Sequence, residues 1–103
     1  MYDSKVKNEE TDALYEAILS LKTPEECYQF FDDLCTFGEI KAMAQRFHVA
    51  RLLTEGKTFT QISEEVGASS ATITRVNKCI TYGSEGYRLV LERLKTKNLK
   101  LKT

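Results

Sequence analysis

The chain has 103 residues, enough for one domain but not for two of ordinary size. Its 15 basic and 15 acidic side chains cancel, and its hydrophobic content of 42% is that of a globular protein, which excludes wholesale disorder. No apolar run approaches the roughly 20 residues that cross a bilayer, and the polar N-terminus lacks the apolar segment of a signal peptide. Three cysteines, an odd number, exclude a complete set of intrachain disulfides. We therefore expect a cytoplasmic protein with no membrane partner.

The charges are unevenly distributed along the chain. Residues 1–40 contain 10 acidic and 3 basic side chains, a net charge of −7, whereas residues 41–103 contain 5 acidic and 12 basic side chains, a net charge of +7. Such an asymmetry indicates that the basic half faces a polyanion.

Apolar residues recur at helical spacing nearly throughout, so we predict an all-α fold of about six helices. The first helix is predicted over about residues 9–21. A second helix is predicted to start after Thr23, because Thr23 has a capping side chain, Pro24 suits the first helical position and Glu26 has the length to reach back to the N–H of the cap.

Thr36 and Glu39 repeat this capping spacing and open the longest predicted helix, about 37–55, which ends at Gly56. One side of that helix is predicted to carry Ile40, Met43, Phe47, Ala50 and Leu53. A core spread over short helices is hard to close within one chain of 103 residues, so the residues favour a stable dimer. The members of this core are predicted to be Phe30, Phe31, Phe37, Phe47, Tyr87 and Leu89.

A helix-turn-helix is predicted over residues 58–80, since this motif needs two short helices separated by a glycine-containing turn. Thr58 and Gln61 have the spacing of a helix cap, and Gly67 supplies the conformational freedom of the turn. Ser63 lies where the two helices must approach each other. The buried side of the motif is predicted to contain Ile62, Val66, Ile73, Val76 and Ile80.

The second helix of this motif, which starts after Ser69 or Ser70, carries small hydrogen-bonding side chains first and cations later. This order suits a helix whose N-terminal end enters the major groove of DNA while its later turns meet phosphates. Residues 67–81 contain no carboxylate, which would repel the phosphate backbone. The alternative interpretation is a plain helical hairpin with a solvated polar face.

Two sets of DNA contacts are predicted from these residues. Base edges would be contacted by Ser70, Ala71, Thr72 and Thr74. Phosphates would be held by Ser69, Lys78 and Lys57.

The run from Gly67 to Arg75, Gly-Ala-Ser-Ser-Ala-Thr-Ile-Thr-Arg, resembles the turn and recognition helix of the tryptophan repressor family. Residues 46–56 resemble the long helix and the glycine that precede the DNA-binding head of that family. The resemblance covers about residues 36–80, and the Ala-Thr-Ile-Thr-Arg run is its specific part. The whole chain is most similar to the tryptophan-repressor-related proteins of the YerC/YecD type, which occur in low-GC Gram-positive bacteria.

The resemblance implies an intertwined homodimer whose two DNA-binding heads project from a shared helical core. It also implies a transcription regulator, and specifically a repressor, that binds a palindromic operator in double-stranded DNA. Residues 1–103 would then form a single domain with five segments. These are a flexible N-terminus (1–8), a helical dimerisation core (9–56), the helix-turn-helix (58–80), a last helix that completes the core (84–95) and a basic mobile tail (96–103).

The family senses an amino acid, and the resemblance puts Thr36, Arg46 and Arg75 at the positions that hold its carboxylate. The family has a glycine directly after its Thr-Arg pair, where the indole ring needs room, whereas this chain has Val76. We therefore expect a different small carboxylate as effector, or none, and no cofactor. A phosphate contact or a surface ion pair is the alternative role of Arg46 and Arg75.

Other functions fit the sequence less well. Cys27, Cys35, Cys79 and His48 include no Cys-x-x-Cys pair, so no metal site is predicted. No Gly-rich phosphate loop, Ser-centred elbow or converging pair of carboxylates indicates an enzyme. The main alternative is a protein-interaction module that keeps a relic helix-turn-helix and docks on another regulator or polymerase through its acidic first 40 residues.

Overall fold

The computed structural model describes the backbone of residues 2–102 and the side chains of residues 2–97, and this part of the chain contains six α-helices and no strand. The helices are α1 (Glu9–Leu19), α2 (Pro24–Leu34), α3 (Phe37–Thr54), α4 (Phe59–Val66), α5 (Ser70–Tyr82) and α6 (Gly86–Lys102). The chain divides into two compact units, Met1–Ile40 and Lys41–Thr103. The predicted all-α class with six helices is confirmed.

Side-chain caps fix the helix starts in the first unit. Asn8 Oδ1 accepts a hydrogen bond from the Thr11 N–H at 2.8 Å at the start of α1. Thr23 Oγ1 accepts one from the Glu26 N–H at 3.1 Å at the start of α2, as predicted. The Glu26 carboxylate accepts a hydrogen bond from the Lys22 N–H at 2.8 Å, one residue further back than expected.

The first unit buries no side chain among its described residues. Phe30 and Phe31 are half-buried and form an edge-to-face pair, with ring centroids 5.6 Å apart. Phe37, the first residue of α3, is 82% exposed in the single chain, so its predicted place in a core stays a prediction. Two helices of 11 residues each provide too little surface to enclose such aromatic rings within one chain, as expected.

The core lies in the second unit, where α4 packs on α5 and α5 packs on α6. Its buried members are Val49, Ala50, Leu52, Ile62, Ala68, Ile73 and Val76. Leu53, Val66, Ile80, Tyr87 and Leu91 are partly buried against them. The predicted buried side of the helix-turn-helix is therefore confirmed.

The predicted apolar side of α3 matches the core only in part. Ala50 is buried and Leu53 is half-buried, but Met43 is 38% exposed. Val49 and Leu52, which the prediction omitted, are fully or almost fully buried. Apolar residues occur on several sides of α3, so helical periodicity alone does not identify the side that meets α4 and α5.

A glycine ends α3, and a capping box starts α4. Gly56 has φ +88°, its N–H bonds to the Leu53 carbonyl, and the Lys57 N–H bonds to the Leu52 carbonyl, both at 3.1 Å. This pair of bonds is a Schellman motif, which ends α3 where predicted. A capping box then starts α4: Thr58 and Gln61 exchange hydrogen bonds of 2.8 and 3.2 Å.

The turn between α4 and α5 depends on Gly67. Its φ of +76° lies in the left-handed region, and its N–H donates to the Ser63 carbonyl at 2.9 Å. The Ser63 hydroxyl donates to the Ala68 carbonyl at 3.3 Å, so a small polar residue ties α4 to the turn. Ser69 then caps α5 by accepting a hydrogen bond from the Thr72 N–H at 3.2 Å.

Gly67→Ala is expected to destabilise the protein by about 1 kcal/mol or more, because an alanine Cβ is strained at this φ. The control is Gly38→Ala, a glycine of α3 with open space around its added Cβ. That change is expected to stabilise the chain by about 0.5 kcal/mol, since it removes backbone freedom from the unfolded state. Urea unfolding at fixed protein concentration measures both; a stabilising Gly67→Ala would contradict the strained turn.

The two ends of the chain have features that the sequence did not predict. The Lys7 Nζ pairs with the Asp12 carboxylate at 2.9 Å, and the Thr11 hydroxyl donates to the Val6 carbonyl at 2.9 Å, so contacts to α1 hold residues 6 and 7. The backbone of α6 is helical to Lys102, beyond the end predicted at residue 95. The tail predicted to be mobile covers residues 96–103, and most of its side chains lie outside the described residues. The predicted flexibility of residues 1–8 stays a prediction.

One side of α6 completes the core. Tyr87 and Leu91, one turn apart, pack against it. Leu89 is 50% exposed in the single chain, so its predicted place in a core stays a prediction. It lies two residues from each of them, about 200° around the helix, and therefore faces away.

Candidate nucleic-acid interface

The outward side of α5 carries a groove of about 500 Å³. It is lined by Ser70, Ala71, Thr74, Arg75, Lys78 and Cys79. These residues recur three and four positions apart, whereas Ile73 and Val76 of the same helix are buried. The buried side of α5 thus holds the helix in place, and its opposite side presents polar and cationic groups.

Four of the predicted DNA contacts come together in this groove, namely Ser70, Ala71, Thr74 and Lys78. Two others, Ser69 and Thr72, do not line it. The Ser69 hydroxyl donates to Thr72 Oγ1 at 3.1 Å and accepts from the Thr72 N–H at 3.2 Å, so both residues belong to the cap of α5. Their predicted contacts with phosphate and base stay predictions.

Lys57, the remaining predicted phosphate contact, lies between α3 and α4 with an exposed side chain. Its position relative to DNA also stays a prediction. Arg75, which the sequence interpretation left open between effector and phosphate binding, lies in the groove one turn after Ala71. That spacing of four residues is the signal that groups Arg75 with the outward side of the helix.

The electrostatics of this surface favour an anionic partner. Arg75 and Lys78 are exposed cations, and no Asp or Glu occurs between residues 67 and 81. Attraction between such a surface and phosphates is long-range and sequence-independent. Small hydroxyl and methyl groups beside the cations, from Ser70, Ala71 and Thr74, are of the size that approaches base edges closely.

The predicted effector residues are divided between the two units. Thr36 belongs to the first unit and caps α3: its Oγ1 accepts a hydrogen bond from the Glu39 N–H at 3.1 Å. Arg46 is half-buried on α3 and Arg75 is exposed on α5, both in the second unit. Val76 is 1% exposed, so its side chain fills space inside the core. The effector set stays a prediction.

The cap of α3 has a pH-sensitive partner. The hydrogen bond from the Thr36 N–H to Glu39 Oε1, at 2.8 Å, is the main cause that lowers the pKa of Glu39 from its ordinary value. The stabilisation from this carboxylate is therefore expected to be complete above the ordinary pKa of glutamate. It is lost as the pH falls through the lowered value, because the protonated group is a weaker acceptor.

The change that tests this cap is Glu39→Gln, which keeps an acceptor oxygen but removes the titration. We expect the variant to have a shallower dependence of stability on pH below about 4.5, the ordinary value of the group. Thermal unfolding between pH 3 and 7 measures it (about the range in which a carboxylate titrates). A wild-type curve that coincides with the variant's would contradict the proposed role of the carboxylate.

Other reactive side chains form no site of their own. Arg51 donates a hydrogen bond to His48 Nδ1 at 2.7 Å, along one side of α3. Cys27, Cys35 and Cys79 are free thiols. Over the described residues, no three His, Cys, Asp or Glu side chains meet as metal ligands, and no helix combines the length and apolar character needed to cross a membrane.

A helix-turn-helix whose second helix carries cations on its outward side is typical of DNA-binding regulators. Residues 9–95 match the family model described as Trp repressor protein, so the chain belongs to the Trp repressor family. Members of this family are regulatory DNA-binding proteins and not enzymes. The predicted resemblance and the prediction of a non-enzymatic protein are thereby confirmed.

Individual relatives agree with this assignment. The uncharacterized protein YerC of Bacillus subtilis is 53% identical over 95 residues, 92% of this chain and 91% of YerC. A Trp operon repressor homolog of Chlamydia caviae is 36% identical over 78 residues, which cover 75% of this chain and 77% of the homolog. The crystal structure of a TrpR-like protein from Eubacterium eligens superposes with a TM-score of 0.85 at 49% identity, covering 88% of this chain and 94% of that one.

Proposed function

We propose that the protein is a transcription repressor that binds a palindromic operator as a homodimer. The observation that carries this proposal is the grouping of Ser70, Ala71, Thr74 and Lys78 on the outward side of α5. Each α5 would read one half-site in the major groove, with half-sites about one helical turn apart. Repression, rather than activation, is supported by the name of the chlamydial relative, Trp operon repressor homolog.

The homodimer is supported by apolar side chains that the single chain leaves uncovered. Leu19 and Phe37 of the first unit are 83% and 82% exposed, and Leu89 and Val90 of α6 are 50% and 45% exposed. Isolated exposed apolar residues are ordinary, but so many in a small chain are typical of a protein that buries them against another chain. The dimer would remove such surfaces from water on both partners.

Light scattering of the purified protein at micromolar concentration is expected to give a mass twice that of the 11.8 kDa chain. A mass of one chain under these conditions would rule out the dimer.

The protein would act in the cytoplasm, where the operator is accessible.

The effector side of the function is proposed to differ from tryptophan sensing. Val76 is buried in the core, and an indole ring would have to displace its isopropyl group. Arg75 faces outward with Lys78, which favours a phosphate contact over a carboxylate contact for this arginine. The proposed regulator therefore binds DNA without L-tryptophan.

The experiment that tests the function is selection from a random duplex pool with the purified protein at near-physiological salt, with and without L-tryptophan. Enrichment of the same palindrome in both arms is the expected result. Enrichment only with L-tryptophan would refute the argument from Val76. A pool that stays random in both arms would refute sequence-specific DNA binding.

A second candidate function rests on the first unit. Residues 1–40 carry a net charge of −7 and expose Leu19 and Phe37, a surface suited to a protein partner such as another regulator or polymerase. The helix-turn-helix would then be a relic. Salt dependence discriminates between the two, because binding of duplex DNA weakens steeply as salt is raised and a relic motif would bind weakly throughout.

A further inference from the structure

A second depression lies beside the groove of α5, between α4 and the start of α5. This cleft has a volume of about 380 Å³ and is lined by Phe59, Thr60, Ser63, Glu64, Ser70 and Ile73. Ser70 lines both the cleft and the groove, so the two depressions adjoin at the start of α5. A duplex that contacts the Ser70 end of the groove would therefore also lie near the cleft.

Glu64 is the one acidic or basic residue among those that line this cleft. Its side chain is exposed, and its carboxylate forms no hydrogen bond or ion pair with any other residue between 2 and 97. The other lining residues provide hydroxyl, aromatic and aliphatic groups, with no cation to neutralise it. The carboxylate is therefore free to bind a donor from outside the chain.

A carboxylate at this place has a specific consequence for DNA binding. A carboxylate repels phosphates, so one that lies within a DNA interface is favourable only where it faces base edges. Among the base edges in the major groove, cytosine presents the N4 amino group as a donor, whereas guanine presents the acceptors N7 and O6 and thymine presents the acceptor O4. Adenine N6 is a donor, but the acceptor N7 lies beside it.

We propose that Glu64 is a specificity-determining residue that accepts a hydrogen bond from the N4 amino group of a cytosine in each half-site. This inference rests on the proposed function and deepens it, since it adds a base preference from α4 to those of α5. The preference arises both from the hydrogen bond to cytosine and from repulsion of the acceptors on guanine and thymine. A good contact of this kind discriminates against the wrong base by about tenfold or more.

The chain offers a matched control in the next residue, Glu65. It has the same charge, lies on the same helix and is exposed, but it lies about 100° further round α4 and does not line the cleft. Glu64→Gln and Glu65→Gln therefore remove the same charge from adjacent positions of one helix. They differ in whether the changed group faces the cleft.

The experiment is selection from a random duplex pool with the wild type and both variants, with circular dichroism to verify that each is folded. We expect the wild type to enrich a palindrome with a cytosine preference at one position of each half-site. Glu64→Gln is expected to lose that preference and to gain adenine there, because a glutamine amide pairs with adenine N6 and N7. Glu65→Gln is expected to retain cytosine.

The outcomes separate this inference from the function on which it rests. If the wild type enriches a palindrome and Glu64→Gln enriches the same one with the same base preferences, the role of Glu64 is refuted and the proposed function stands. If both variants change the preferences alike, the effect belongs to charge and not to the cleft, and the inference again fails. If the wild-type pool stays random, the proposed function and the inference both fail.

Discussion

Truncation of Ile73 to alanine is expected to lower the free energy of unfolding by about 2–5 kcal/mol, the cost of removing three buried carbons and leaving a cavity. Ile73 is 1% exposed and belongs to the one buried cluster found among the described residues. A small domain has a total stability of only about 5–15 kcal/mol. The variant is therefore expected to be partly unfolded well below the transition of the wild type.

Two further variants isolate the cause of this loss. Ile73→Val removes one methylene from the same site and is expected to cost about 0.5–1.5 kcal/mol. Thr74→Ala, the next residue along α5, changes an exposed side chain and is expected to alter stability by no more than about 0.5 kcal/mol. Urea unfolding, at one protein concentration because association also contributes to stability, measures all three. An Ile73→Ala loss no larger than that of Ile73→Val would contradict a packed core around this residue.

Local signals explain why the sequence predicts the helix starts so well. The capping boxes at Thr36 and Thr58 involve residues three positions apart, so the interaction that starts each helix is contained in four consecutive residues. The left-handed turn at Gly67 is equally local. These signals fix where α3, α4 and α5 begin or end, and with them the spacing of the helix-turn-helix.

Burial that depends on contacts between residues distant in the chain is harder to predict from the sequence. The side of α3 that becomes buried is set by where α4 and α5 pack. The burial of Val49 and Leu52 was therefore not predicted from the spacing within α3. Phe37 and Leu89 are as apolar as core residues, yet the single chain leaves them exposed. Hydrophobicity states that a residue favours burial, but not which surface buries it.

The residues of the candidate site also differ in whether the sequence alone predicts their grouping. The grouping of Ala71, Thr74 and Lys78 follows from their positions along one helix, and the sequence predicted each of them. The adjacency of Glu64 to Ser70 depends on how α4 packs on α5, and no spacing within either helix indicates it. A motif recognised from sequence thus identifies α5 as the proposed recognition helix. The groups that α4 places beside α5 become evident only from the packed structure.

Lys78→Ala and Thr74→Ala are expected to weaken DNA binding in two different ways. Loss of Lys78 would remove the proposed phosphate contact from each recognition helix, so a dimer would lose two, and the slope of log affinity against log salt would fall by about two. Binding to all sequences would weaken alike. Loss of Thr74 would remove the proposed contact to a base edge, so it would cost about 1–3 kcal/mol for the selected operator and relax the base preference at one position of each half-site.

Titration of the selected palindrome and of a scrambled duplex over a series of salt concentrations separates the two effects. Lys78→Arg is the control, because it keeps a cation in the groove and is expected to retain the wild-type slope. Thr74→Ser, which keeps the hydroxyl, distinguishes a hydrogen bond from a contact of the threonine methyl with thymine. If Lys78→Ala and Thr74→Ala reduced specificity equally, phosphate and base contacts would not be divided between these residues, and the outward side of α5 would lie on DNA in another orientation.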